Sequence, residues 1–234
     1  MPSNDDSRHH LIGALADVHG NFDAMRAAME RHADVPLWIC VGDLASRSGS
    51  YPEPPKALYW IKGNNENFDA VAAMKAGREV VPNLHFIANG TFAQVGPITV
   101  AGLGGTFAPT WFDAAAAQLP ARKSDDRRRH FVREEVEACK KMRGIDILMT
   151  HEAARPFVVV EEPRPGAKAL RRDAGKAAIN DVLASMKPRL HLCGHHHRFA
   201  ETVREGVRSV CIDRVNRSYL LIDADTLEYW KVDQ

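Results

Sequence analysis

Five short apolar runs in this chain stop abruptly on residues of the kinds that bind metal ions. Leu11 to Ala16 ends in Asp17-Val18-His19-Gly20-Asn21, and Pro36 to Val41 ends in Gly42-Asp43. Ala57 to Ile61 leads through Lys62 into Gly63-Asn64-Asn65-Glu66, and Ile145 to Met149 delivers Thr150-His151. The fifth, Arg189 to Cys193, runs into Gly194-His195-His196-His197. Runs this short and apolar, bounded by turn residues, read as buried strands. Residues i and i+2 of an extended chain point the same way, so Asp17 pairs with His19, and His195 with His197. Strands of this kind alternating with helical stretches imply an α/β sheet, and such sheets bind ligands beyond the carboxyl ends of their strands.

Seven donors therefore gather at one sheet edge: Asp17, His19, Asp43, Asn64, His151, His195 and His197. Seven exceed the needs of one tetrahedral ion and suit two ions that share a carboxylate. Imidazole with carboxylate and amide oxygen, without thiolate, points to Mn, Fe, Zn, Ni or Co rather than to a structural zinc. Two divalent ions about 3.5–4 Å apart are the usual apparatus for hydrolysing phosphate esters. Each pair alone has an ordinary reading as a strand end or a turn. The ordered set of five carries the inference.

Asp-x-His, Gly-Asp, Gly-Asn-x-Glu, a lone His after a strand, and Gly-His-x-His, in this order from Leu11 to about Phe199, resemble the calcineurin-like metallophosphoesterases. The resemblance implies a four-layer α-β-β-α sandwich, two sheets face to face with helices outside. It also implies roles. Asp17, His19 and His197 would hold one ion, Asn64, His151 and His195 the other, and Asp43 would bridge them, with a hydroxide between the ions attacking phosphorus in line. The stretch from Pro82 to Val203 is similar in detail to the RNA lariat debranching branch, through Gly-Leu-Gly-Gly-Thr-Phe107, His130-Phe-Val-Arg133, Asp-Ile-Leu-Met-Thr-His151 and His195-His-His-Arg-Phe-Ala200. It departs from that branch at Asp17, where debranching enzymes typically carry cysteine, and no counterpart of their further C-terminal domain is expected. The implied substrate is a phosphodiester, with nucleotide or RNA as candidate partners. A phosphomonoesterase, a nucleotide pyrophosphohydrolase, and a metal-binding scaffold with little catalysis stand as alternatives.

Asn65 occupies the position where most relatives carry a histidine often assigned to protonating the leaving oxygen. An amide hydrogen-bonds a phosphate oxygen but does not titrate, so Asn65 is expected to bind substrate without acting as a general acid. His85, His130 and His196 are the histidines available to replace it. His191 alternates with apolar neighbours and reads as a hydrogen-bonded core residue. Glu66 and Glu152 adjoin ligands and read either as supports for them or as surface charge.

Elsewhere, Asn21 is expected to cap a helix to Arg31, a helix is expected over 67–76, and short strands joined at Asn89-Gly90 and Gly96-Pro97 over 84–103. The pattern predicts a short helix near Asp113 to Gln118, a helix from Ser124 to Met142, a surface loop over 155–172 and a helix from Gly175 to Met186. Arg122, Lys123, Arg127 to Arg129, Lys140, Lys141 and Arg143 then form either a phosphate-attracting rim or a solvated helix face, as do Lys168, Arg171 and Arg172 after His151; Glu134, Glu135 and Glu137 in the same helix and the lack of interleaved aromatic residues favour the solvated face. Of 234 residues, 45% are hydrophobic and 26% charged, enough for a core and a soluble surface in one domain spanning 1–234. The net charge of +1 gives no general attraction to nucleic acid or membranes. Cys40, Cys139, Cys193 and Cys211 form no C-x-x-C pair, which fits a reducing compartment. No signal-peptide pattern opens the chain and no run approaches the roughly 20 residues that span a bilayer. A cytoplasmic location without membrane contact is expected.

Overall fold

The computed structural model describes residues 10–78, 80–121, 125–161 and 170–234. In chain order the elements are β1 (Leu11–Leu15), α1 (Phe22–Arg31), β2 (Leu37–Cys40), β3 (Ala57–Trp60), α2 (Phe68–Lys75), β4 (Leu84–Phe86), β5 (Thr91–Val95) and β6 (Ile98–Leu103). There follow α3 (Arg133–Lys141), β7 (Ile147–Thr150), β8 (Val158–Glu161), β9 (Leu170–Asp173), α4 (Ala177–Met186) and β10 (Leu190–Cys193). The C-terminal strands are β11 (Ala200–Arg204), β12 (Val207–Cys211), β13 (Ser218–Asp223) and β14 (Tyr229–Asp233).

Two six-stranded sheets form the centre, in the orders β14-β13-β1-β2-β3-β4 and β11-β12-β10-β7-β6-β5. In the first, β1, β2, β3 and β4 are parallel and β13 closes antiparallel on β1. In the second, β6, β7, β10 and β12 are parallel, with β5 and β11 as antiparallel edges. The carboxyl ends of both parallel sets therefore carry the five expected ligand segments.

Alternation along the strands sorts the core into layers. Ile12, Ala14 and Ile39 from one sheet meet Val100, Ile147 and Leu192 from the other. On the outer face of the first sheet, Trp38 and Trp60 pack on Met25 and Met29 of α1 and Val71 of α2. On the outer face of the second, Ala101, Leu103 and Leu148 pack on Val136 of α3 and Ile179, Val182 and Leu183 of α4. This is the four-layer α-β-β-α sandwich. Fully burying a side chain of this class is worth about 1.5–3 kcal/mol, so the three layers of contact dominate stability. Gly13 is part of that packing: a Cβ there would lie 2.1 Å from the Trp38 ring, which is itself fully buried.

The structure corrects several local expectations. Asn21 precedes α1, yet its Nδ2 donates to Val18 O at 2.8 Å and its side chain caps no helix N–H. Asn67 caps α2 as its type favours, accepting from Ala70 N. The expected helix from Ser124 begins only at Arg133. Arg127–Arg129 form a separate 3₁₀ turn, and His130 then runs extended, paired with Thr106. Glu135 accepts from Val132 N at 3.1 Å and so fixes the later start. Near Asp113 the helix is a single 3₁₀ turn, Ala116–Gln118. The stretch 155–172, read as a loop, contains strands β8 and β9 paired antiparallel. Arg122, Lys123, Ser124 and Lys168 lie outside the described residues. Among the described residues no helix is long and apolar enough to cross a membrane, and all four cysteines are buried thiols.

His191, inside β10, is fully buried between Thr150 Oγ1 at 2.8 Å and Ser209 Oγ at 2.6 Å. Burial pushes its imidazole down to about 3. The folded protein thus keeps it neutral while the unfolded chain protonates near 6.5, so its contribution is complete above that pH and is lost as pH falls toward 3. Between pH 7 and pH 5 the denaturant-derived stability of the wild type should fall by up to about 2 kcal/mol more than that of His191→Gln. Parallel pH profiles would contradict this.

Candidate metal centre

The chain reaches the site through conformations that ordinary residues avoid. Asp17, His19, Asp43, His195 and His197 all have positive φ, from 47° to 67°. Such backbone costs about 1–3 kcal/mol per residue and persists only where surroundings enforce it. Here the enforcement is a set of short cross-links between strand ends. Asp17 N donates to Gly42 O at 3.1 Å, His19 N to Asp43 O at 2.7 Å, and Gly194 N to His151 O at 3.1 Å. His195 N donates to Asp17 Oδ2 at 2.8 Å. Glycine is required where these segments touch: a Cβ on Gly63 would lie 2.0 Å from Asp43 Oδ1, and one on Gly194 would lie 2.7 Å from Asp17 Oδ2.

Two groups of donors result, Asp17 with His19 and His197, and Asp43 with His151 and His195. His19 Nε2 lies 3.0 Å from His197 Nε2, and Asp17 Oδ1 lies 3.4 Å from His197 Nε2 and 3.8 Å from His19 Nε2. In the second group, His151 Nε2 lies 2.9 Å from Asn64 Oδ1, which adds the expected amide oxygen. His151 Nδ1 faces Val41 O at 2.9 Å, a contact that turns Nε2 toward the site. Asp43 Oδ2 lies 3.5 Å from His19 Nε2 and 3.5 Å from His151 Nε2, and so reaches both groups.

The chemistry of the set fits divalent cations. Asp17 is fully buried, and its Oδ1 accepts no hydrogen bond. A carboxylate oxygen so placed is costly unless a cation meets it. Burial lowers the imidazoles of His19 and His195, the latter to about 4, which keeps their lone pairs available. Burial alone would press His151 toward neutrality too, but the Asp43 carboxylate outweighs it and lifts that imidazole to about 10. Burial opposes the Asp43 charge, and His151 with the hydrogen bonds from Asn65 more than offsets it, holding the carboxyl well below its usual range.

Asn65 donates through its backbone N to Asp43 Oδ1 and through Nδ2 to Asp43 Oδ2, both at 2.7 Å. Its amide therefore fixes the shared carboxylate and also borders the open cleft beside the site. None of the three histidines considered as substitute acids joins either donor group. His85 stacks on Tyr59 within the sheet. His196 stacks on Phe157 at 4.4 Å. His130 faces Thr106 Oγ1 at 3.0 Å. Phe112 packs on Phe107 and Phe131, as ordinary core.

Glu66 and Glu152 are both supports rather than surface charge. Glu152 is buried, accepts from Phe107 N at 2.7 Å, and stands 4.0 Å from His195 Nε2. Glu66 accepts from Leu44 N, Ala45 N, Gly63 N and the Tyr51 hydroxyl at 3.0–3.2 Å. It therefore clamps the segment after Asp43 to the segment that carries Asn64. Lys62 is a functional residue without a clear mark in the sequence: its Nζ donates to Arg128 O at 2.6 Å and His130 O at 3.0 Å. Its only signal was a lysine ending a buried strand. Glu66→Gln would set an amide N–H₂ against one pair of these donors, and a buried donor left unpaired costs about 1–3 kcal/mol. Urea unfolding should register a loss of that size, and an unchanged midpoint would contradict the clamp.

Comparison with known proteins agrees with this geometry. Residues 10–199 match the family model of the calcineurin-like phosphoesterases, and the chain belongs to that family. The lariat debranching enzyme of Schizosaccharomyces pombe is 24% identical over 199 residues, covering 78% of this chain and 42% of that protein. CWF19-like protein 1 of Mus musculus is 22% identical over 202 residues, covering 80% and 36% respectively. The chain thus spans less than half the length of these curated relatives. The crystal structure of TT1561 of Thermus thermophilus superposes with a TM-score of 0.63 at 13% identity, over 96% of this chain and 98% of that one, a likeness of fold. Family and donor groups together support metal-dependent hydrolysis of phosphate esters.

Proposed function

We propose that this calcineurin-like phosphoesterase hydrolyses phosphodiesters using two divalent ions. In this reading Asp17, His19 and His197 hold one ion, Asn64, His151 and His195 hold the other, and Asp43 serves both. The observation that carries it is the placement of Asp43 Oδ2 at 3.5 Å from an imidazole of each group. Ions held there supply Lewis acidity and the activation of water for in-line attack on phosphorus. The chain's own contribution is orientation. Asn65 pins both oxygens of Asp43, and Glu66 holds the two segments that present Asp43 and Asn64. Likeness to a lariat debranching enzyme supports a diester, and nucleotide or RNA chemistry, over a monoester.

Asn65, the residue beside Asn64 at the mouth of the cleft, is an amide without a titrating proton and cannot protonate a leaving oxygen. Loss of a general acid typically forfeits about 10²–10⁴ in rate, so substrates whose leaving group departs as a stable anion should be favoured by a factor in that range. With Mn, Ni or Co, the protein should cleave bis(p-nitrophenyl) phosphate. Asp43→Ala should lose more than about 100-fold in kcat/KM, since even residues supporting metal ligands are worth about 10–100-fold. Equal rates on activated and unactivated diesters would refute the missing acid. Faster turnover of p-nitrophenyl phosphate than of any diester would assign a monoesterase instead, and inactivity with every metal would assign a scaffold.

A further inference from the structure

The cleft beside the donor groups holds cationic hydrogen-bonding capacity that the metal reading leaves unused. It encloses about 810 Å³, bordered at one end by His19, Asn64 and Asn65 and elsewhere by Arg47, Arg128 and Arg129. That volume suits a nucleotide-sized group.

The three arginines differ in what they have to spare. Arg128 is committed: its Nε and Nη2 bind Asp126 at 2.6–3.1 Å, and its Nη1 binds Asp69 at 2.8 Å. Those two carboxylates, which also border the cleft, are in turn occupied by it. Among the described residues Arg129 spends only Nε, which donates to Asp126 O at 2.8 Å. This contact sets the plane of the guanidinium and leaves both terminal amino groups for a ligand. Arg47 is exposed in the loop after Asp43, with no hydrogen bond or ion pair among the described residues.

The turn that carries Arg129 is held rigidly. Lys62 is buried and offers its ammonium to the carbonyls of Arg128 and His130 on either side of Arg129. Thr106 N donates to Arg129 O at 2.9 Å and Phe131 N to Thr106 O at 3.1 Å. Desolvating a lysine to fix one short turn is expensive. What the turn presents to the cleft is a fixed guanidinium, and a fixed guanidinium is the group best matched to a phosphate's paired oxygens.

We propose that Arg47 and Arg129 form a subsite for a second phosphate of the substrate, so that the preferred diester carries a neighbouring phosphate, as a nucleotide chain does. The inference rests on the phosphodiesterase reading above. It predicts discrimination among diesters by charge away from the scissile bond, a property the metal ligands alone do not supply.

The test uses the metal-loaded full chain with thymidine 5′-(p-nitrophenyl phosphate), with and without a 3′-phosphate. The wild type should prefer the 3′-phosphorylated ester by about tenfold or more, expressed mainly in KM. Arg47→Gln and Arg129→Gln should each reduce that preference, and the double variant should bring it near one. Calorimetric binding of thymidine 3′,5′-bisphosphate against thymidine 5′-phosphate should show the same preference and the same loss. Equal kcat/KM for the two esters, or a preference that survives the double variant, would overturn the subsite. If no diester is cleaved with any metal, the phosphodiesterase reading fails by itself, and the bisphosphate binding comparison still decides the subsite.

Discussion

Asp43 is a carboxylate almost wholly removed from water, placed where the strand ends of two sheets meet. Burying a charge is among the most expensive things a fold can do, and it survives only with partners on every side. Asn65 gives Asp43 two hydrogen bonds, and His151 and His19 stand 3.5 Å from one of its oxygens. The positions of those partners follow from the sheets. Parallel strands end together, and five residues just beyond them hold the backbone at positive φ so that side chains converge rather than disperse. The apolar layers above and below supply the stability that this strained, charged edge consumes.

Much of the architecture is legible in the residues. Short apolar runs separated by helical stretches announce the strands of an α/β sheet, while the layer each face meets is known only from the packing. The misreadings share a cause. Ser124 opens a plausible helix by composition, yet His130 pairs with Thr106, a contact between distant segments, and is extended just before α3 begins at Arg133. Asn21 has the right type for a cap, but a nearer acceptor, Val18 O, takes its amide. Strands β8 and β9 lie in a stretch rich in proline and arginine, so local propensity speaks for a loop while pairing decides otherwise.

The donor set is legible for a different reason. Asp17-x-His19 and His195-x-His197 encode their geometry in a two-residue spacing, and glycines at 42, 63 and 194 mark where segments must touch. The supports are not encoded in spacing. Glu66 and Glu152 read equally well as surface charge until their backbone donors are known, and Lys62 reads as the polar end of a strand. By composition Arg129 is one of many cations on a helix. Only the turn built on Lys62 and Thr106 turns it toward the cleft.

Mn²⁺ loading followed by electron paramagnetic resonance asks whether one carboxylate, Asp43, joins two ion sites. Two Mn²⁺ per chain with an exchange-coupled spectrum are predicted, as expected for ions about 3.5–4 Å apart. One bound ion per chain, or two that are magnetically isolated, would contradict it.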